Sequence, residues 1–423
     1  MCIGMMISFL LTGCGAVDLP LTDEGKMVFP DSEIIGSLDS ETPPEVITTD
    51  EYDIEAAEKA AMDFAVKLFQ YVQLHEMVPG ENTSSNILIS PISMYLALGM
   101  LENGAKGETL SQLEETLGLN YGQMNCFAEE YLENLPNEMK IANSIWYTDD
   151  ERFTLEESFA EMNQAYFNAD LYREPFDEST VKAVNDWIEK HTDGAIKEML
   201  DEIPADAVMY LINALVYEAE WEQKYDEGQV RTGAFHVSKD LVQEAEMMYS
   251  EEGYYLEDED ATGFIKYYKD RKYAFAALLP KEGQDVFSYI RKLSGEKLQN
   301  LLANPQEILV NAAMPQFKNE YEVQMKDILQ EMGVVDVFDS GKADLSGLGT
   351  SSAGNIFVDR VLHKTFIEVT AAGTKAGAAT IIECKDECAI MTEKEVILDR
   401  PFVYMIIDCE TNQPIFMGTV NYV

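Results

Sequence analysis

The chain has 423 residues, 46% of them hydrophobic, enough apolar side chain for a sizeable core in one large domain or two ordinary ones. Seventy-seven acidic residues against 30 basic ones give a formal net charge of -47. That excess excludes nucleic acid, heparin-type glycosaminoglycan and anionic lipid headgroups as partners of the folded surface, and its plain consequence is solubility.

Residues 1–9 are apolar, and Leu11-Thr12-Gly13-Cys14 resembles the bacterial lipobox, whose cysteine becomes the lipidated first residue of the mature chain. The run is too short for a transmembrane helix. Residues 1–13 therefore read as a lipoprotein signal peptide, with a plain secretory signal as the alternative, although no Lys or Arg precedes the run. Residues 14–55 are rich in Asp, Glu, Pro, Ser and Thr, with Lys26 the only basic residue, which predicts an acidic disordered tether. The expected location is extracellular, either secreted or held at a bacterial cell surface through acyl chains on Cys14. That anchor would be the one contact with a membrane.

A folded domain is expected over residues 56–423. Ala61, Phe64, Ala65, Leu68, Phe69 and Val72 recur at three- and four-residue spacing, with Asp63, Lys67 and Gln70 opposite, which predicts an amphipathic helix. A strand at 87–89 then meets Ser90-Pro91. Pro91 suits the first turn of a helix and Ser90 its cap, and the helix should continue through Leu96, Met100 and Leu101 to Gly104. Helical patterns recur at 117–135, 157–168 and 181–200, and strands are expected at 207–217, 264–268, 273–279 and 307–313. No repeat of 20 to 50 residues is present, so the outcome is a mixed α+β domain.

Near the C-terminus lies an unusual run, residues 373–391. Thr374, Ala376, Ala378, Thr380 and Ile382 fall at period two, so a strand would carry them all on one face, with Lys375 and Glu383 on the other. Ala and Gly are poor strand formers, and an Ala-rich helix or a flexible loop is the alternative. Such small side chains suit a segment that slides into a crowded sheet, and no Pro interrupts its backbone.

Catalytic patterns are missing. The four histidines, His75, His191, His236 and His363, lie outside any G-x-S-x-G, H-E-x-x-H or phosphate-cradling motif, so neither an enzyme nor a cofactor is expected. Cys2 and Cys14 belong to the signal, and Cys126 and Cys409 are expected to be isolated. Cys384 and Cys388 share the unusual run. Four extended residues span about 13 Å, beyond the ~7 Å limit between disulfide Cα atoms, so those two could pair only if the run bends. A C-x-x-x-C zinc site lacks two further ligands nearby, so no metal is expected.

The flanks of this run, residues 355–373 and 399–420, resemble the flanks of the reactive loop in serpins, the serine protease inhibitor superfamily. Four further blocks resemble the family in the expected order: residues 86–109, 184–200, 211–225 and 314–322. The resemblance runs from about Glu55 to the C-terminus. It implies three β-sheets with about nine surrounding helices, and an exposed reactive-centre loop at about 371–398.

The function implied is irreversible suicide inhibition of a serine or cysteine endopeptidase. The protease cleaves the loop and forms an acyl-enzyme, and the cut loop inserts into the central sheet and traps it. The alternative is a non-inhibitory serpin acting as a binding or carrier protein, and a surface hydrolase is a third reading. A monomer is expected. By resemblance the shutter beneath the sheet comprises Ser90, Ser93, Asn213 and His363, with His363 bonded to Asn213. The hinge comprises Ala371, Gly373, Thr374, Ala376, Gly377, Ala378, Ala379 and Thr380. The family's usual hinge Glu is Ala371 here, and its usual Lys partner is Gln316, so both ends of one ion pair are replaced together. Loop release should then be gated by other contacts in the breach, around Trp221. Counting from Gly373 puts the scissile bond between Glu387 and Cys388, and counting back from Pro401 puts it near Ile390 or Met391.

Overall fold

The structure is a computed structural model, and it describes residues 3–11, 52–76, 85–136, 138–269, 271–374 and 394–423. Its central sheet has eight strands. The order is β5 (Ala169–Glu174), β3 (Met139–Thr148), β6 (Met209–Tyr217), β1 (Ile3–Leu11), β16 (Val358–Thr370), β17 (Gly373–Thr374) and β7 (Ala219–Glu220), with β14 (Phe317–Gln324) also paired to β16. A six-stranded sheet runs β10 (Tyr254–Glu257), β11 (Ala261–Tyr267), β12 (Tyr273–Pro280), β19 (Phe402–Asp408), β20 (Pro414–Val420) and β2 (Leu88–Ile89). A third runs β18 (Lys394–Ile397), β13 (Val310–Pro315), β9 (Val242–Glu252) and β8 (Val230–His236). A small ribbon pairs β4 (Phe153–Leu155) with β15 (Gly349–Ser351).

Nine α-helices surround the sheets among the described residues: α1 (Ile54–His75), α2 (Pro91–Glu102), α3 (Gly107–Leu117), α4 (Tyr121–Glu133), α5 (Glu157–Phe167), α6 (Glu178–His191), α7 (Val286–Ile290), α8 (Gly295–Ala303) and α9 (Lys326–Met332). The expected α+β serpin architecture is therefore present. The apolar stripe of α1 is buried as its spacing predicts. Asp53 caps that helix, accepting the N–H groups of Glu55 and Ala56, so the folded domain starts slightly before residue 56. Every residue of α2 is buried, because it runs beneath the central sheet. β6 is buried along its whole length, as a strand covered on both faces must be, whereas β14 alternates buried and exposed residues.

Two sequence expectations need correction. The helix α3 was not anticipated between the block at residues 86–109 and the pattern at 117–135. The helical pattern over 181–200 ends at His191, where the Thr192 hydroxyl donates to the Ile188 carbonyl at 2.8 Å and Asp193 and Gly194 take positive φ. Beyond that stop, Ile196, Met199 and Leu200 pack in an irregular segment against Trp146 and Tyr210. Residues 3–11, within the expected export signal, pair as a central strand of the sheet. Residues 12–51, with Cys14 and most of the tether, lie outside the described residues.

Candidate functional site at the hinge and beneath the central sheet

The chain leaves β16 at Thr370, turns through Ala371 and Ala372, and returns as β17. Val369 pairs with Thr374 and Thr370 with Gly373, while Gly373 and Thr374 pair on their other side with Glu220 and Ala219 of β7. Gly373 and Thr374 of the hinge thus already lie in the sheet. Gly373 adopts φ +147°, and a Cβ there would stand 2.3 Å from the Ala219 carbonyl oxygen and 2.7 Å from the Glu220 Cα. Only glycine fits this passage between two backbones.

The turn is held by uncharged donors. The Trp221 indole N–H donates to the Thr370 carbonyl at 2.8 Å, and the backbone N–H groups of Trp221 and Tyr225 donate to the carbonyls of Ala372 and Ala371. Gln316 accepts the Ala371 N–H at 3.3 Å through its amide oxygen and donates its NH2 to a Glu246 carboxylate oxygen at 3.0 Å. The hydroxyls of Tyr268 and Thr374 lie 2.7 Å apart. Trp221 and Gln316, singled out from the sequence, are therefore brought onto the hinge together with Ala371, Gly373 and Thr374.

Sequence reasoning missed the support behind Trp221. Its ring stacks on Tyr268, 4.5 Å between centroids, and Lys266 lies over the ring of Tyr225 at 4.4 Å. Lys266 forms a 2.8 Å ion pair with Glu252, with side-chain exposures of only 3% and 11%. A single Lys inside the apolar run Phe264-Ile265-Lys266-Tyr267-Tyr268 was the available signal, since a cation there needs a buried partner.

Beneath the sheet, α2 brings Ser90 and Ser93 under β6 and β16, and all four expected shutter residues are fully buried. Their expected bonding differs. The Ser90 backbone N–H donates to His363 Nε2 at 3.3 Å, which leaves the imidazole proton on Nδ1, and the Ser90 hydroxyl makes no capping bond. Asn213 donates to Asn143 Oδ1 at 2.7 Å rather than meeting His363. The physical reason is β1: its Ile7 lies opposite Asn213 on one side and His363 on the other, holding β6 and β16 apart. The Ser90 and Ser93 hydroxyls, Asn213 Oδ1 and His363 Nδ1 consequently lack hydrogen-bond partners among the described residues. Burial pushes the His363 imidazole down to about 3, so the ring is neutral at ordinary pH.

Among the described residues, Cys126 and Cys409 are unpaired thiols. Ala376, Gly377, Ala378, Ala379, Thr380, Cys384, Glu387, Cys388, Ile390 and Met391 lie outside the described residues, as does Cys14.

Comparison with known proteins matches residues 59–423 to the family described as Serpin (serine protease inhibitor). Leukocyte elastase inhibitor A of Mus musculus is 30% identical over 377 residues, covering 84% of this chain and 97% of the relative. Serpin B9 of Homo sapiens is 27% identical, covering 86% and 99%. Among solved structures, the thermophilic serpin tengpin in its native state superposes with a TM-score of 0.80 at 38% identity, covering 89% of this chain and 96% of that one. Its latent state gives 0.76 at 39% identity, covering 88% and 98%. A hinge threaded into the central sheet over a buried polar cluster, a family match across most of the chain and relatives covered almost end to end lead to one assignment: the chain belongs to the serpin family.

Proposed function

We propose that this protein is an irreversible inhibitor of a serine or cysteine endopeptidase, acting by insertion of its cleaved reactive loop into the central sheet. The observation that carries the reading is the pairing of Gly373 and Thr374 with both β16 and β7, so that the next residues need only continue an existing strand. In that continuation Ala376, Ala378, Thr380 and Ile382 would share the face of Thr374, which is itself fully buried. About ten new ladder bonds at roughly 1 kcal/mol each would release on the order of 10 kcal/mol, comparable to the stability of a whole domain. The protease would attack the Glu387 carbonyl and release the Cys388 amine, with the bonds near Ile390 and Met391 as the other positions. An acidic P1 residue selects a protease that accepts a carboxylate, whereas Ile390 or Met391 selects one with an apolar pocket. The protein would act as a monomer outside a bacterial cell, secreted or anchored through a lipidated Cys14.

The test is incubation with a panel of serine and cysteine proteases. A complex that survives denaturing electrophoresis, with a released fragment whose mass identifies the cleaved bond, is the expected result. Cleavage of the loop by every reactive protease with no such complex would refute the inhibitor reading and leave a binding or carrier role.

A further inference from the structure

β1 has no part in the cycle just described, yet it holds the middle of the central sheet. Its backbone pairs antiparallel with β6, from Ile3 opposite Tyr217 to Leu11 opposite Met209, and antiparallel with β16, from Gly4 opposite Phe366 to Leu11 opposite Val358. The hinge sets the register that an inserting loop must follow, Thr370 against Gly373 and Val369 against Thr374. Continued without a bulge, that register sets Ala376 opposite Ile367, Gly377 opposite Phe366 and Thr380 opposite His363. Phe366 and His363 are already paired with Gly4 and Ile7, in a strand that runs in the direction the loop would take. A loop following that register would meet β1 beyond Ala376, because one lane between two strands accepts one set of ladder bonds.

The cluster below the lane supplies the second observation. Neighbouring strands lie about 4.8 Å apart, so a strand between β6 and β16 keeps Asn213 and His363 roughly 9.5 Å apart along the sheet. Asn213 Oδ1, His363 Nδ1 and the hydroxyls of Ser90 and Ser93 are left buried and unpartnered among the described residues. Buried polar groups without partners are costly, and they regain partners if the strand departs and β6 closes on β16.

We propose that residues 3–11 are an intramolecular blocking strand. While they remain attached, the loop can be cut but cannot insert. Hydrolysis of the Gly13–Cys14 peptide bond by a signal peptidase, with water as co-reactant, frees the strand and arms the inhibitor. The inhibitor would then be silent inside the cell that makes it and active only after export. This rests on the loop-insertion reading.

The experiment compares the full-length chain, retained unprocessed in the cytoplasm, with a chain starting at residue 14 and carrying Cys14→Ser. Each is nicked between residues 384 and 391 by limited proteolysis and melted before and after. The truncated chain should gain about 10 °C or more on nicking and the full-length chain less than about 2 °C. Full-length Ile7→Pro, which lacks the N–H that the central strand needs, should behave as the truncated chain. Hydrogen exchange should show residues 3–11 protected in the full-length protein and unprotected in Ile7→Pro. Equal gains in full-length and truncated chains, or no protection of residues 3–11, overturn the blocking strand and leave the inhibitor reading standing. No gain in either chain overturns both.

Discussion

Replacing Gly373 with Ala tests the inserted hinge most directly. If the hinge stays in place, the new Cβ meets the Ala219 carbonyl oxygen at 2.3 Å, the Glu220 Cα at 2.7 Å and the Trp221 nitrogen at 3.1 Å, all backbone atoms with little freedom to move. The positive φ adds about 1–3 kcal/mol of its own, before any overlap is counted. If the hinge leaves, the Tyr268–Thr374 hydroxyl contact and the ladder bonds of β17 are exchanged for water, at about 1 kcal/mol each and about 3 kcal/mol in all. The smaller cost prevails, so the hinge should leave the sheet and stability should fall by about 3 kcal/mol. Denaturant titration measures the fall, and hydrogen exchange across residues 370–374 measures the departure. Unchanged protection of these amides with a loss below about 0.5 kcal/mol would refute the reasoning, since two backbones cannot accommodate a methyl at that distance without displacement.

Three other perturbations have defined outcomes. His363 keeps its proton off down to about pH 3, while in the unfolded chain it gains one below about 6.5, so its effect is absent above pH 6.5 and stability is lost as pH falls toward 3. The loss should approach about 1.4 kcal/mol per pH unit in that window, read as the difference between wild type and His363→Gln in titrations at fixed salt. Glu102 is fully buried with both carboxylate oxygens unpartnered among the described residues, and burial raises it well above the ordinary carboxylate range. It therefore costs stability as pH rises above about 4.5, and Glu102→Gln should flatten that limb and raise the midpoint of denaturation at pH 7 by an amount equivalent to about 1–3 kcal/mol. Lys266→Met strands the Glu252 carboxylate in a nearly closed site and should cost about 3–5 kcal/mol, with most of it recovered in Lys266→Met/Glu252→Leu; a double variant no better than the single one would refute an ion-pair origin.

Features governed by local spacing were readable in the chain. The stripe of α1 and the Ser90-Pro91 entry to α2 depend on neighbours three or four residues away, and both occur where expected. The stop after α6 was also written locally, in Thr192-Asp193-Gly194, but the apolar residues beyond it continue a helical spacing and mask the stop. The hinge contacts were not readable, because Tyr268 meets Thr374 and Gln316 meets Ala371 across long stretches of chain. Trp221 and Gln316 were identified only through resemblance to a family. β1 shows a further limit: an apolar run of nine residues suits an export signal and a buried strand equally well, and composition cannot separate them.

The groups that touch the hinge turn itself are an indole, an amide, hydroxyls and backbone amides, none of which carries a formal charge. Dissolved ions screen attraction between exposed charges more than about 8 Å apart at physiological ionic strength but leave short neutral hydrogen bonds nearly untouched. A molecule of net charge -47 must feel every change of salinity in its encounters with other macromolecules. The hold on its hinge is insulated from that sensitivity, so brackish or dilute surroundings would alter how often other macromolecules arrive and leave the grip on Gly373 and Thr374 the same.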